Sequence, residues 1–552
     1  MQIPKSIAFF AIILLIAFNL HAQTQPTAFI NAKVYTVNPK QPLAEAVVTQ
    51  QGKIIFVGSN VDAKKRVKDK KLVVDCHGKL MLPGFIDDHT HFVNGGFYLL
   101  GINLRDARST SAFINNIKNY VGAHKSEWIV GGDWDHEAWE IKDLPTKSMI
   151  DSISPNTPVF VGRFDGHMAL ANSYALKLAG INKNTPSPAG GIIVKDSLGE
   201  PTGILKDNAM DLVHKVIPTP SPAQYEQALE RALQEAKEKG VTSVQDITLN
   251  NDLRTYQAFY KKGKLTCRIY TRMPISSYKF LVNEKVTAGS GNSMLRLGSL
   301  KAFADGSLGS STALFFEPYN QDTSTRGIPM DIVTNGKLRE WALDADKNHL
   351  QISVHAIGDS ANFWILNLFE EIIKTNPAWD RRFRIEHAQH IRFSDIGRMA
   401  KMGVIASVQP YHAIDDGVWA EKRIGNRIKY TYPFKAFLDS GVKTGFGSDW
   451  TVAPINPLLG IYAAVTRRTL DEKNPEGWIP EQKITVAQAI QCYTINNAYA
   501  AFEEKQKGSI EVGKFADLVM LDEDILLIDP VKIRDVHVIM TVLGGKVIYE
   551  QK

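Results

Sequence analysis

PGFIDDHTH, residues 83–91, is a short apolar run that ends in two carboxylates and two imidazoles. Read as a strand, it sets residues two apart on one face: Asp87, His89 and His91 point together into the fold, Asp88 and Thr90 the other way. Two imidazoles side by side at a strand end can present nitrogens to one cation. Asp87, deeper on that face, either hydrogen-bonds a ring N–H or reaches the cation itself. A pair of hydrogen-bonded structural histidines would leave the same local pattern, so the rest of the chain has to decide.

Outward from this run, apolar strand-like segments alternate with helical patterns, as in a parallel sheet built from βα units. Ten candidate strands stand out, at 81–91, 128–133, 158–165, 241–246, 267–273, 297–306, 351–359, 383–388, 403–410 and 442–449. The second and third fall in a stretch rich in Trp, Gly and Pro that breaks the rhythm, and we assign them to an insertion after the first strand, residues 105–220. Eight strands remain, which predicts an α/β protein with a (β/α)8 TIM-type barrel over 83–104 and 221–504. Short alternating runs near both ends, such as FINAKVYTVN and FADLVMLDED, predict a small β-sandwich domain assembled from residues 23–82 and 505–552.

The chain has 552 residues, 44% hydrophobic and 22% charged, proportions that exclude disordered and low-complexity classes. Its formal charge of +6 is scattered, apart from a short basic cluster near Lys64 to Lys71, so no nucleic-acid partner is expected. Residues 1–22 carry one Lys, an apolar run from Ile7 to Phe18 and a small residue at Ala22. That run is shorter than the roughly 20 residues that span a bilayer and suits a secretory signal. The expectation is export, periplasmic or secreted, with no stable membrane insertion after cleavage. Cys76, Cys267 and Cys492 are odd in number and far apart, which argues against a disulfide framework.

Most of the 14 histidines are isolated. Those at predicted strand ends are not: His89 and His91 are joined by His355 in VHAIGD, His387 in IEHAQ and Asp449 in GFGSD. Catalysis in such barrels sits at the C-terminal ends of the strands, and convergence of these residues on one mouth points to a divalent-metal site. Lys301 in KAFADGSLGSSTA has two readings. Its amine either reacts with carbon dioxide to give an anionic carbamate able to bridge two metal ions, or pairs with Asp305 on its own face.

Together PGFIDDHTH, KAFADGSLGSSTA, VHAIGD, IEHAQ and GFGSD resemble the amidohydrolase superfamily, specifically the amidohydrolase 3 group similar to N-substituted formamide deformylases. GGDWDHEAW, DGHMALANS and GKFADLVMLDED look like further signatures of that branch. The resemblance implies a metal-dependent hydrolase in which His89, His91, His355 and His387 match metal ligands. Lys301 matches a carbamylated bridging lysine, and Asp449, also at the metal, matches the catalytic acid/base. Ser311 departs from the pattern, since the branch often carries Arg there, which bears on binding of a substrate carboxylate.

The chemistry expected is attack of metal-activated hydroxide on a C–N bond, in an amide or N-substituted formamide, with Asp449 moving the proton. The alternatives are an esterase, lactonase or phosphoester hydrolase on the same site, or an exported non-catalytic binding protein on the barrel. Ligand type favours zinc, one or two ions, without excluding manganese, iron or cobalt. The partner is a small-molecule substrate, and a homodimer is expected by analogy alone. Trp134 and His167, in two Gly-containing segments of the insertion, are the expected substrate contacts.

Overall fold

The computed structural model describes residues 25–124, 128–136, 139–140, 143–163, 168–188 and 191–551. The expected signal segment, 1–22, and His167 lie outside the described residues. The chain divides into two compact units, one running up to Phe92 and resuming at Leu233, the other formed by Val93–Ala232.

The first unit contains eight parallel strands, paired in chain order. They are β1 (Phe85–Thr90), β2 (Val241–Ile247), β3 (Arg268–Pro274), β4 (Leu295–Phe303), β5 (Gln351–Ala356), β6 (Arg384–His387), β7 (Ile405–Val408) and β8 (Thr444–Phe446). Every residue of β1, β2, β5, β6, β7 and β8 is buried, as expected of strands covered on both faces. Amphipathic helices supply the outer cover. The helix Asp359–Thr375, between β5 and β6, buries Ala361, Ile365, Leu366, Leu368, Phe369 and Ile372, the spacing of one helical face.

Between β8 and β1 the sheet is nearly closed. A single parallel bridge joins Thr90 to Trp450. The Asp449 N–H donates to the His89 carbonyl at 2.7 Å, and the His91 N–H to the Trp450 carbonyl at 2.9 Å. Glycine makes this approach feasible: a Cβ on Gly447 would stand 2.6 Å from the His89 nitrogen and 2.7 Å from an Asp88 carboxylate oxygen.

The run 81–91, read above as one strand, is two. Leu80–Pro83 pairs antiparallel with Leu518–Leu521, and β1 begins only at Phe85. Gly84 is the joint, where a Cβ would collide with the Thr242 side chain at 2.4 Å. Leu80–Pro83 thus belongs to a six-stranded sheet that also takes Lys33–Tyr35, Leu43–Ala44, Val538–Leu543 and Lys546–Glu550, so both ends of the chain contribute. A four-stranded sheet holds Thr27–Ile30, Ala46–Gln50, Lys53–Gly58 and Val73–Asp75. Phe29, Val47, Ile54, Met81, Leu518 and Met540 meet in one apolar core drawn from both sheets.

The second unit carries its own six-stranded sheet, ordered Gly191–Lys195, Pro201–Asp207, Met168–Ala171, Val159–Arg163, Ile129–Trp134 and Ile102–Asn103. The two strands excluded from the barrel count, near 128 and 158, pair in parallel here. Trp134 corrects an expectation. It has no exposed surface, packs against Phe113 and Trp139, and donates its indole N–H to the Val161 carbonyl at 2.8 Å. With its surface covered and its only donor bonded, it packs this sheet and is closed to a ligand.

Candidate metal centre

The C-terminal ends of the barrel strands gather the charged and imidazole residues. Ligating atoms of His89, His387 and Asp449, all buried, lie within 4.8 Å of one another. An Asp449 carboxylate oxygen is 3.5 Å from Nε2 of His89 and 3.3 Å from Nε2 of His91. The His387 ring lies 5.0 Å from the His89 ring, centre to centre. His91 is the most open of these residues, its side chain 38% exposed. His355 stands beside the three rather than among them. Its ring centre is 4.5 Å from that of His387, and its Nε2 donates to the Gly306 carbonyl at 3.0 Å.

These residues suit a divalent cation by the chemistry of their nitrogens. His89 Nδ1 meets a Glu386 carboxylate oxygen, and His387 Nδ1–H donates to the Gln409 side-chain carbonyl at 2.7 Å. Tying Nδ1 down in this way fixes the tautomer and leaves the Nε2 lone pair of each ring to bind. Burial, with the charge of Lys301 nearby, pushes His89 down to about 3, and burial with His355 holds His387 well below the usual range. Both rings are therefore neutral, as ligands must be. Burial alone would raise Asp449, but the hydrogen bond from His91 helps to hold its carboxyl well below the ordinary range, so it stays anionic.

Lys301 is buried, and its amine lies 4.8 Å from the Phe303 ring centre, pushed down to about 8 chiefly by burial. The Asp305 pairing weighed above does not form. Asp305 instead accepts the backbone N–H groups of Leu314, Ile357 and Gly358 at 2.8, 3.0 and 2.9 Å. At Ser311, the hydroxyl accepts a hydrogen bond from Arg423 at 2.6 Å, so a guanidinium reaches that position from elsewhere in the chain.

Simple alternation misassigned part of β1. Pairing with β2 runs Asp87 to Val244 and then Thr90 to Asp246, one residue more on β1 than on β2. This bulge lets neighbours share a face. Asp88, expected to point outward, has its carboxylate 3.2 Å from the Arg384 guanidinium. Asp87 hydrogen-bonds no imidazole among the described residues; it accepts the N–H groups of His89 and Ser448 at 3.1 and 3.0 Å. A comparable break occurs in β6. Arg384 and Glu386, two apart, share the interior face, and the chain leaves strand geometry at His387, whose φ is 70°. Asp449 has φ 56°. Left-handed backbone at non-glycine residues is costly and concentrates at functional sites.

Beneath the cluster is a buried ionic layer that the sequence reading missed. Glu386 accepts from Arg272 at 2.5 Å and from the Ser407 hydroxyl at 2.8 Å, and forms an ion pair with the Arg384 guanidinium at 3.1 Å. Burial would push Glu386 up, yet Arg272 and Arg384 hold it well below the usual carboxylate range. The signal available was the Glu directly before His387. Alternation would have put the two on opposite faces. His412 was also passed over. It lies just beyond β7, its ring nearly parallel to that of His387 at 6.4 Å, and its buried Nε2 has no hydrogen-bond partner among the described residues.

Comparison with known proteins places the chain in context. Residues 72–549 match the family model described as the amidohydrolase family. The protein LONG AFTER FAR-RED 3 of Arabidopsis thaliana is 38% identical over 534 residues, covering 94% of this chain and 91% of that one. An N-substituted formamide deformylase of Arthrobacter pascens is 26% identical over 552 residues, covering 96% and 99%. Among solved structures, an uncharacterized metal-dependent hydrolase from Pyrococcus horikoshii aligns with a TM-score of 0.78 at 30% identity, covering 92% of this chain and 99% of its own.

Proposed function

This chain belongs to the amidohydrolase family, and from that premise we propose that it hydrolyses a carbon–nitrogen bond in a small amide, an N-substituted formamide being the favoured class. The observation that carries the reading is the buried convergence of His89, His387 and Asp449 within 4.8 Å, with both histidine Nδ1 atoms tied down. The full-length likeness to a formamide deformylase supports the choice of bond. We take His89, His91, His355, His387, Asp449 and a carbamylated Lys301 as the residues that hold the metal, with zinc as the ion. A divalent ion held there would lower the pKa of water to about 7 and polarise a carbonyl oxygen.

The remaining work falls to the chain. Asp449, anionic and in contact with both His89 and His91, takes the proton as the water oxygen bonds to the carbonyl carbon. It then gives that proton to the nitrogen as the C–N bond breaks. The neutral rings of His89 and His387 keep their Nε2 lone pairs facing the site because Glu386 and Gln409 hold their other nitrogens.

The test is a screen of N-formyl, N-acyl and cyclic amides beside matched esters, lactones and phosphate esters. We expect N-formyl amides to be turned over fastest, chelation to abolish turnover, and added zinc to restore it. Turnover of esters alone would overturn the C–N assignment. Metal-independent turnover would overturn the site.

Lys301 gives a separate prediction. Its buried amine, pushed down to about 8, has an appreciable unprotonated fraction near neutral pH, the form that adds carbon dioxide. Native mass spectrometry of the zinc-loaded protein should find one added carbon dioxide, absent from Lys301→Ala. Its absence from the loaded wild type would remove the bridging role.

A further inference from the structure

We infer that His412 is a hydrogen-bond donor to the substrate carbonyl, placed to stabilise the oxyanion that forms when water attacks. The inference rests on the hydrolase reading above and adds a residue to it. His412 follows β7 on the short helix Pro410–Asp416, whose backbone is fixed at this point by the His412 N–H donating to the Gln409 carbonyl at 3.2 Å. Gln409 in turn holds His387. One segment therefore sets the orientation of a residue at the metal site and the position of a second imidazole next to it.

The geometry is that of two parallel plates. The rings of His387 and His412 are inclined by only 15° with centres 6.4 Å apart, wider than direct stacking. Asp449 is an electrostatic neighbour of both. Nε2 of His412 is buried, yet it has no hydrogen-bond partner among the described residues. Buried polar atoms in native structures are nearly always paired, and the exceptions call for an explanation such as a ligand.

The role follows from the step itself. The water oxygen bonds to the carbonyl carbon, the π pair of the C=O bond moves onto its oxygen, and the proton from water goes to Asp449. A neutral imidazole carrying its proton on Nε2 donates to that oxygen without being consumed. When the C–N bond breaks, the pair returns to the carbonyl and the nitrogen leaves with the proton from Asp449. A donor aimed at charge that appears only in the transition state accelerates the chemistry rather than substrate binding.

The experiment uses the zinc-loaded full chain with His412→Phe, which keeps a ring, and His412→Gln, which keeps an N–H donor. Zinc content and thermal midpoint should match the wild type in both. With the carbonyl compound best hydrolysed in the screen, kcat of His412→Phe should fall about 10²–10³-fold with KM within about threefold, and His412→Gln should recover most of the loss. A readout free of turnover is the affinity for methylphosphonate, a tetrahedral oxyanion, which should weaken about tenfold or more in His412→Phe. Loss of zinc in either variant would make His412 a ligand and overturn the proposal. So would unchanged methylphosphonate affinity, or unchanged kcat. If the screen finds only ester hydrolysis, the C–N reading fails while His412 is still tested on the ester, whose hydrolysis passes through the same oxyanion.

Discussion

Replacing Asp449 by Asn should lower kcat by about 10²–10⁴-fold while the protein still binds zinc, because the exchange keeps the shape of the side chain and removes its ability to take a proton. That loss corresponds to about 3–5 kcal/mol of transition-state stabilisation. The reason lies in the position of the carboxylate. One of its oxygens is 3.5 Å from His89 Nε2 and 3.3 Å from His91 Nε2, and the hydrogen bond from His91 helps to keep it ionised despite its burial. His89 and His387 remain to hold the ion, each with its other nitrogen tied to a group that the substitution does not touch. Zinc content by elemental analysis and kcat by steady-state assay check the two halves. A zinc-replete Asp449→Asn protein with near-normal turnover would remove Asp449 from the reaction. A zinc-free one would make its role structural.

The second large effect is expected at Glu386, which touches no substrate. It sits between Arg272 and Arg384 and reaches His89 Nδ1, with no exposed surface on any of the three charged side chains. Glu386→Gln removes the negative charge paired with Arg272 and leaves Asp88 opposite Arg384. Breaking a buried ion pair from one side costs about 3–5 kcal/mol, since the partner charge is left unpaired. Losing the carboxylate behind a metal-binding imidazole costs about 10–100-fold in metal affinity. Two independent measurements follow: a lower denaturant midpoint for the zinc-free protein, and weaker zinc binding by chelator competition. Wild-type values in both would show that the ionic layer neither supports the barrel nor orients His89.

What the sequence disclosed, and what it withheld, depends on where the chain keeps strand geometry. The barrel could be read because β5, β6 and β7 are apolar runs between helices of clear periodicity, and His355, His387 and Asp449 stand at run ends. Asp88 and Glu386 were hidden by the same rule that revealed their neighbours. Alternation assigns adjacent residues to opposite faces, and it fails at the extra residue of β1 and at the left-handed φ of His387. His412 follows a strand end by several residues, and no periodicity marks it. Trp134 was misread for another reason. An aromatic residue beside glycines suits a pocket wall or a packed interior equally, and only the covering of its surface and the bond to Val161 decide between them.

The seam between β1 and β8 also bears on when this site comes into existence. Asp87 and Ser448, hydrogen-bonded across it, are 361 residues apart in the chain. The neighbouring bonds from Asp449 to His89 and from His91 to Trp450 span a similar separation. Contacts of such long sequence separation carry a large closure entropy and form late in folding. During synthesis the two halves of the metal cluster stay apart until almost the whole barrel has been made. An incomplete chain would carry His89 and His91 with no Asp449 opposite them, so tight binding of a metal at this site would mark a molecule whose barrel has closed.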